Sequence, residues 1–388
     1  QVSFNSDTTE AGGGNTHAAN LLVGAGDLDR DGWNVFGSLS AKSNEILRGT
    51  DRDFSTTFQP ERGLSPDSRG TPFATVFNIA GSLIGAGLID PADGSRQTGI
   101  NILDLPGAAG CESGADSMGP YDHLLWGVAA SRYACGYDYP VAALIQQPQK
   151  SMDFIGRATF AFGDNHRAFA ELTASTVKVR KAFEPNQITS SANNTATVFS
   201  PDSWYPATGE SYDMVYNALA GYFGTAGMTY GAPIAYRWRC DACGPRSIET
   251  ESDSYRLLLG MEGQLGSWDY SWGVARASSK SSSVLVSGYH YMDQLKAALG
   301  SGLVNPFLAP GQAQSAAAIA ALDAASAAGV RLYGGESSLT QIDATFSGEL
   351  GWGLPGGAVM MATGIDLRRE QYRFEGDSRE TARGIFNA

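Results

Sequence analysis

The 388-residue chain carries 40 acidic against 27 basic side chains, a net charge of −13, and 48 glycines, about 12 per cent against a usual share of ~7 per cent. Charged residues are 17% and hydrophobic ones 43%, which is not the high-charge, low-hydrophobicity composition of a disordered chain. The acidic balance argues against a nucleic-acid partner, and no run approaches ~18 consecutive apolar residues, so no spanning helix is written; strands cross a bilayer with a much weaker mark.

Gln1-Val2-Ser3-Phe4-Asn5 alternates as a strand, with no basic or apolar leader ahead of it, so a signal peptide is absent or removed. Residues 33–41 set Trp33, Val35, Gly37, Leu39 and Ala41 against a mostly polar face. Three hairpins follow. The first sets Phe154, Gly156, Ala158, Phe160 and Phe162 on its apolar face, turns at residues 163–166, and returns on Ala168, Ala170, Leu172 and Ala174. The second runs through Leu257, Leu259 and Met261 to a turn at Gly266-Ser267 and returns on Trp268, Tyr270, Trp272 and Val274. A third pairs Ile342, Ala344 and Phe346 with Met361, Thr363, Ile365 and Leu367 across Leu354-Pro355-Gly356-Gly357. Residues 384–388 again follow a strand pattern without a closing turn, and the chain reads as an internal piece of a longer protein.

Charge keeps to the other face: Arg157, Glu171, Arg256, Glu262, Asp343, Glu349, Asp366 and Arg368 all fall opposite the apolar rows. Short turns near 26–32, 163–166, 265–268 and 352–357 alternate with long links at 49–150, 182–252 and 283–337. Long strands, strict alternation of short and long connections, and aromatics beside the short turns (Trp33, Phe160, Phe162, Trp268, Tyr270, Trp352) predict an all-β fold. Its form is part of an antiparallel, up-and-down transmembrane barrel with long extracellular loops. A soluble sandwich with core aromatics is the rival. Residues 312–328, ended by Gly329, predict one alanine-rich loop helix lying on the barrel mouth or another loop.

Four cysteines form two close sets, Cys111 with Cys135 and Cys240 with Cys243, which favours disulfides in an oxidising compartment; a four-thiolate zinc site or free thiols are the alternatives. Asp27-Leu28-Asp29-Arg30-Asp31-Gly32 opens like an EF-hand loop, but Ser38 stands where a bidentate Glu is needed, so it reads as a tight acidic turn. Gly351-Trp352-Gly353-Leu354-Pro355-Gly356 fits G-x-G-x-x-G, yet a strand follows it, so no phosphate cradle forms. His17, His123, His166 and His290 are scattered. Neither an enzyme nor a cofactor or metal site is expected. Lumen-facing Arg157, Arg256, Glu262 and Glu349 and loop aromatics Trp204, Tyr205, Tyr236 and Trp238 are the candidates to line a solute path, the rings serving either ligand contact or loop packing.

Several phrases resemble the barrel portion of TonB-dependent outer-membrane receptors of Gram-negative bacteria. They are Gly12-Gly13-Gly14, Gly26-Asp27-Leu28-Asp29-Arg30-Asp31-Gly32-Trp33-Asn34-Val35-Phe36-Gly37 and Asp51-Arg52-Asp53-Phe54. Ser347-Gly348-Glu349-Leu350, Leu354-Pro355-Gly356-Gly357 and Ala362-Thr363-Gly364-Ile365-Asp366-Leu367-Arg368-Arg369-Glu370 complete the set. The resemblance spans most of the chain and implies a barrel of about 22 strands around an N-terminal plug. It also implies residence in the outer membrane against lipid, and uptake of a scarce solute such as a siderophore-type iron chelate, driven by the TonB energy-coupling complex. About nine strands are counted across residues 1–388, and no TonB box, plug or aromatic-terminated closing strand is recognised, so energy coupling falls on no residue here. The alternatives are a passive porin, a surface adhesin, or a secreted all-β binding domain.

Overall fold

The computed structural model describes residues 1–55, 58–59, 62–163, 165–192 and 199–388. Nine strands form one antiparallel sheet: β1 Val2–Asp7, β2 Thr16–Ala25, β3 Trp33–Asn44, β4 Gln149–Phe162, β5 His166–Pro185, β6 Pro245–Leu265, β7 Trp268–Ser287, β8 Arg331–Leu354 and β9 Gly357–Phe374. Their order in space is their order in the chain, a pure meander.

Period-two alternation sets the register, because a slip by one residue would turn each apolar row onto the polar face. Val35, Ala158, Ala170, Leu259, Val274, Ile342 and Leu367 stand in one continuous line from β3 to β9. Their immediate neighbours Phe36, Arg157, Glu171, Leu258, Ala275, Gln341 and Arg368 form the matching line on the other face. The first face is apolar, and it is exposed: Phe4, Val23, Phe160, Ile365 and Leu367 each leave more than half of their surface open.

Aromatics band this face beside the short turns. Trp33 stands opposite Phe160, Phe162 stacks on His166 at 5.5 Å, His166 Nδ1 and the Tyr270 hydroxyl share a 2.9 Å hydrogen bond, and Tyr270 lies 6.4 Å from Phe346. Trp352 is exposed next to its turn, and Trp268 is half-buried. The sheet therefore exposes a continuous row of large apolar side chains on strand after strand, where a soluble monomer keeps its apolar patches small.

Connections segregate by end. At one end lie residues 26–32, 163–165, 266–267 and 355–356; at the other lie 8–15, 45–148, 186–244 and 288–330. The second and third long links are shorter than the predicted 182–252 and 283–337, because β5, β6, β7 and β8 continue as polar ladders beyond the apolar band, Ser252 on Ser281 and Thr250 on Ser283 among them, whereas the first keeps close to the predicted 49–150. Gly26 shows why the first short turn takes glycine: its φ is +83°, and a Cβ would meet the Trp33 carbonyl at 2.4 Å. Residues 27–32 are an acidic turn, as expected: Asp27 Oδ1 caps one helical turn by accepting from Asp29 N and Arg30 N. After Pro355-Gly356 the chain enters β9, not a helix.

The buried core is in the loops. Phe73, Leu83, Leu88 and Ile100 from the first long link pack with Tyr205, Val215, Leu219, Ile234, Tyr236 and Trp238 from the second, and with Leu295, Leu299, Phe307 and Leu322 from the third. Phe307 sits among Phe73, Tyr205 and Tyr236, with centroids 5.8, 5.5 and 6.1 Å away. A four-stranded sheet orders this loop cap, in the order Gln187–Thr189, Tyr236–Arg239, Thr75–Phe77, Gly99–Ile100. Two disulfides close it, Cys111–Cys135 and Cys240–Cys243, so the zinc and free-thiol alternatives fall away.

Three expectations need correction. One loop helix was expected; among the described residues the cap holds α1 Tyr212–Phe223, α2 Met292–Gly300 and α3 Ala316–Ala324. The alanine-rich helix is α3, shorter than 312–328, because Gln312 and Gln314 spend their side chains on the backbone of Ala309 and Asn305 and Ser315 caps Ala318 N. It stops at Ala325 rather than at Gly329, since Ala327 N bonds Tyr289 O. Finally, residues 375–388 are not a strand: they turn back through Ser378–Thr381 and lay Phe386 edge-on against Phe199 at 4.9 Å.

Candidate functional site

The polar face holds the charged constellation. Strands β4, β5 and β6 place Arg157, Glu171 and Arg256 in adjacent rows, Arg157 directly opposite Glu171. Arg157 Nη1 lies 3.4 Å from one Glu171 oxygen, and Arg256 Nη1 lies 3.3 Å from the other. One carboxylate thus serves two guanidiniums and leaves the group with a net positive charge. The Arg157 guanidinium also lies 4.4 Å from the Phe169 ring centroid, and Phe169 occupies the space above Gly260, where a Cβ would meet the ring at 2.4 Å. A groove of about 430 Å³ continues from Arg256 past Asp153, Thr173, Ser175, Ser254 and Ser279, its hydroxyls, one cation and one carboxylate interleaved with apolar Phe154, Ala277 and Leu339.

Towards the short turns a second groove of about 840 Å³ is lined by Asp29, Arg167, Glu262, Gln264, Asp269, Ser271, Thr345 and Ser347. Glu262 stands opposite Arg167 in register. Glu349 joins neither groove: it is exposed opposite Met360, where the β8–β9 register shifts. Of the four charged residues expected on the solute path, Arg157 and Arg256 come together, Glu262 lines the neighbouring groove, and Glu349 stands apart.

The four aromatics need a different reading. Trp204, Tyr205, Tyr236 and Trp238 are each 3% exposed or less. Trp204 Nε1 donates to Phe199 O at 3.3 Å, Trp238 Nε1 to Pro72 O at 2.8 Å, and the Tyr205 hydroxyl accepts from Ser211 N at 2.9 Å. Their polar tips are satisfied and their faces covered, so they pack the loop cap and offer no ring to a solute. The expectation that they line a solute path is corrected accordingly.

Residues missed in the sequence include Phe169 and Asp153, both one position out of phase with the apolar row and so on the same face as Arg157; that phase was the signal that could have found them. No group of three His, Cys, Asp or Glu side chains able to hold a metal ion occurs among the described residues. No helix among them is long and apolar enough to cross a membrane. No known protein family matches the chain, and no curated protein matches it.

Proposed function

We propose that this chain is the barrel portion of an outer-membrane receptor that imports a scarce, large solute such as an iron chelate. The observation that carries this reading is the pairing of two opposite faces on one nine-stranded meander: a continuous exposed apolar face with an aromatic band at one edge, and a polar face bearing Arg157, Glu171 and Arg256. An apolar band of about 11 residues per strand, tilted, spans the roughly 25 Å that a bilayer crossing requires. Lipid covers the apolar face, further strands close the barrel at β1 and β9, and the solute passes along the polar face. The long links form the extracellular cap. Energy reaches the barrel from an inner-membrane complex through a plug, and the protein carries its solute without altering it.

The test is a denaturing gel of fractionated native cells, boiled and unboiled, probed with an antibody against this chain. A closed barrel resists detergent and shifts on heating, so a heat-shifted outer-membrane band is expected. A soluble band near 40.9 kDa without a heat shift would remove the receptor reading in favour of a secreted, disulfide-bonded β protein.

A further inference from the structure

The small sheet of the loop cap has two unlike faces. Val76, Ile100 and Tyr236 point into the core, and alternation puts Thr75, Phe77 and Arg237 on the other side. There the Arg237 guanidinium lies 4.3 Å from the Phe77 ring centroid, and that of Arg69 lies 5.3 Å from the same centroid and 5.3 Å from that of Tyr121.

Among the described residues neither cation is held in a salt bridge, and Asp67 offsets the charge of only one of the two. Arg69 Nη1 donates to Ser131 Oγ at 2.7 Å, but its Nε is buried without an acceptor. The Arg237 guanidinium donates no hydrogen bond to a protein group, and neither guanidinium lies within salt-bridge distance of a carboxylate, among the described residues. Asp67 is the acidic group that shares the site; it is exposed, and its Oδ1 accepts a hydrogen bond from the Tyr121 hydroxyl at 3.4 Å. Two partly desolvated guanidiniums over one ring, in a chain of net charge −13, are an arrangement that folding alone disfavours: like charges repel, and a buried donor without an acceptor forfeits its hydration. An anion would relieve both.

We propose that Arg69 and Arg237 form a binding site for a small solute bearing two or more carboxylates, one held by each guanidinium. A ring against a guanidinium occupies its face and leaves its edge to hydrogen-bond acceptors: the planar fork of Arg237 matches a planar carboxylate through two parallel hydrogen bonds, and Arg69, with Nη1 given to Ser131, offers its remaining N–H groups. The site would be the first contact for a chelating solute at the loop cap; only this role rests on the receptor reading, whereas the binding does not.

The experiment is calorimetric titration of the full chain, folded in detergent micelles, with citrate and separately with inorganic phosphate. Citrate is expected to bind, at least tenfold more weakly to the Arg69→Gln/Arg237→Gln protein. Arg237→Lys, which keeps the charge and loses the planar fork, is expected to fall between the two, and it keeps the test open if the double variant misfolds. Citrate affinity that is unchanged within twofold in either variant, or phosphate bound as tightly as citrate, would overturn the proposal. A protein that fails the heat-shift test but binds citrate through these arginines would lose the receptor reading and keep the site.

Discussion

Arg157 and Glu171 face each other across β4 and β5 with 3.4 Å between Nη1 and Oε2, and the second Glu171 oxygen holds Arg256 at 3.3 Å. Both guanidiniums remain substantially solvated, with side chains 36% and 47% exposed. Water screening limits such pairs to a contribution of about 1 kcal/mol or less. Glu171→Gln is therefore expected to lower unfolding stability in urea by under about 1 kcal/mol while adding one positive charge to the polar face. A loss above ~3 kcal/mol would mean that the group is desolvated and that the polar face is not water-filled.

Truncating Trp238 to alanine should damage the cap and spare the sheet. The side chain is 3% exposed and fills the loop core beside Phe73, so removal costs about 3–5 kcal/mol, a cavity effect. Limited proteolysis should then cut within residues 186–244 and 288–330 first, while the strand ladder keeps its far-ultraviolet signal. Cap protection identical to that of the wild type would contradict the packing role assigned to this residue.

The strands were legible because each carries its own period: Leu257, Leu259 and Met261 announce a strand whatever surrounds them, and their register with Val274 and Trp272 follows from which face must be apolar. The polar face was legible for the same reason, and Arg157, Glu171 and Arg256 were placed on one side from spacing alone. The cap was not. Tyr212, Val215 and Leu219 have the spacing of a buried helix stripe, but they sit in a stretch crowded with aromatics that reads equally as exposed ring surface. Whether Tyr236 or Trp238 touches solute or neighbours depends on contacts between separate links, Tyr236 with Val76 and Phe307 and Trp238 with Pro72, and local pattern holds no information about those. Arg69 and Arg237 were invisible for that reason too: only the fold brings both to Phe77.

The two disulfides should contribute unequally. Cys111–Cys135 closes a separation of 24 residues and Cys240–Cys243 one of 3, so loop-closure entropy assigns about 3.5 kcal/mol to the first and ~2 kcal/mol to the second. Cys111→Ser/Cys135→Ser is expected to lower the cap's melting temperature more than Cys240→Ser/Cys243→Ser. Calorimetry that ranks the variants in the opposite order would show that native-state packing around Cys240 outweighs chain entropy.

Stability of the cap should fall as pH rises towards neutrality. Burial pushes the Asp104 carboxyl up to about 7, with the Glu112 charge adding to it, and burial raises Asp241 to about 6 against the opposing charge of Arg239. Both ordinary values are 3.8, so between about pH 4 and 7 the folded state binds more protons than the unfolded one. The stabilisation is complete below that window and is lost as pH climbs through it. Thermal melts are expected to show a more stable cap at pH 5 than at pH 8, and Asp104→Asn should flatten most of the difference; an unaltered slope in that variant would assign the dependence to other groups.

Leu258 and Leu259 are neighbours in β6 on opposite faces, Leu259 in the apolar line with Ala170 and Val274 and Leu258 in the polar line with Glu171 and Ala275. Arginine at each gives two variants with the same added charge in the same strand. If lipid covers the apolar face, Leu259→Arg costs about 2–4 kcal/mol near the bilayer midplane, and the heat-shifted band should fade. Leu258→Arg meets water and carboxylates and should fold with a penalty below ~1 kcal/mol. In a secreted protein the signs change: Leu259 is 46% exposed to water, so its replacement by arginine is close to neutral and lowers aggregation, whereas half-buried Leu258 is the more costly site. Refolding yield into vesicles, measured for both variants side by side, therefore decides between lipid and water on the apolar face by which of two adjacent residues tolerates the charge.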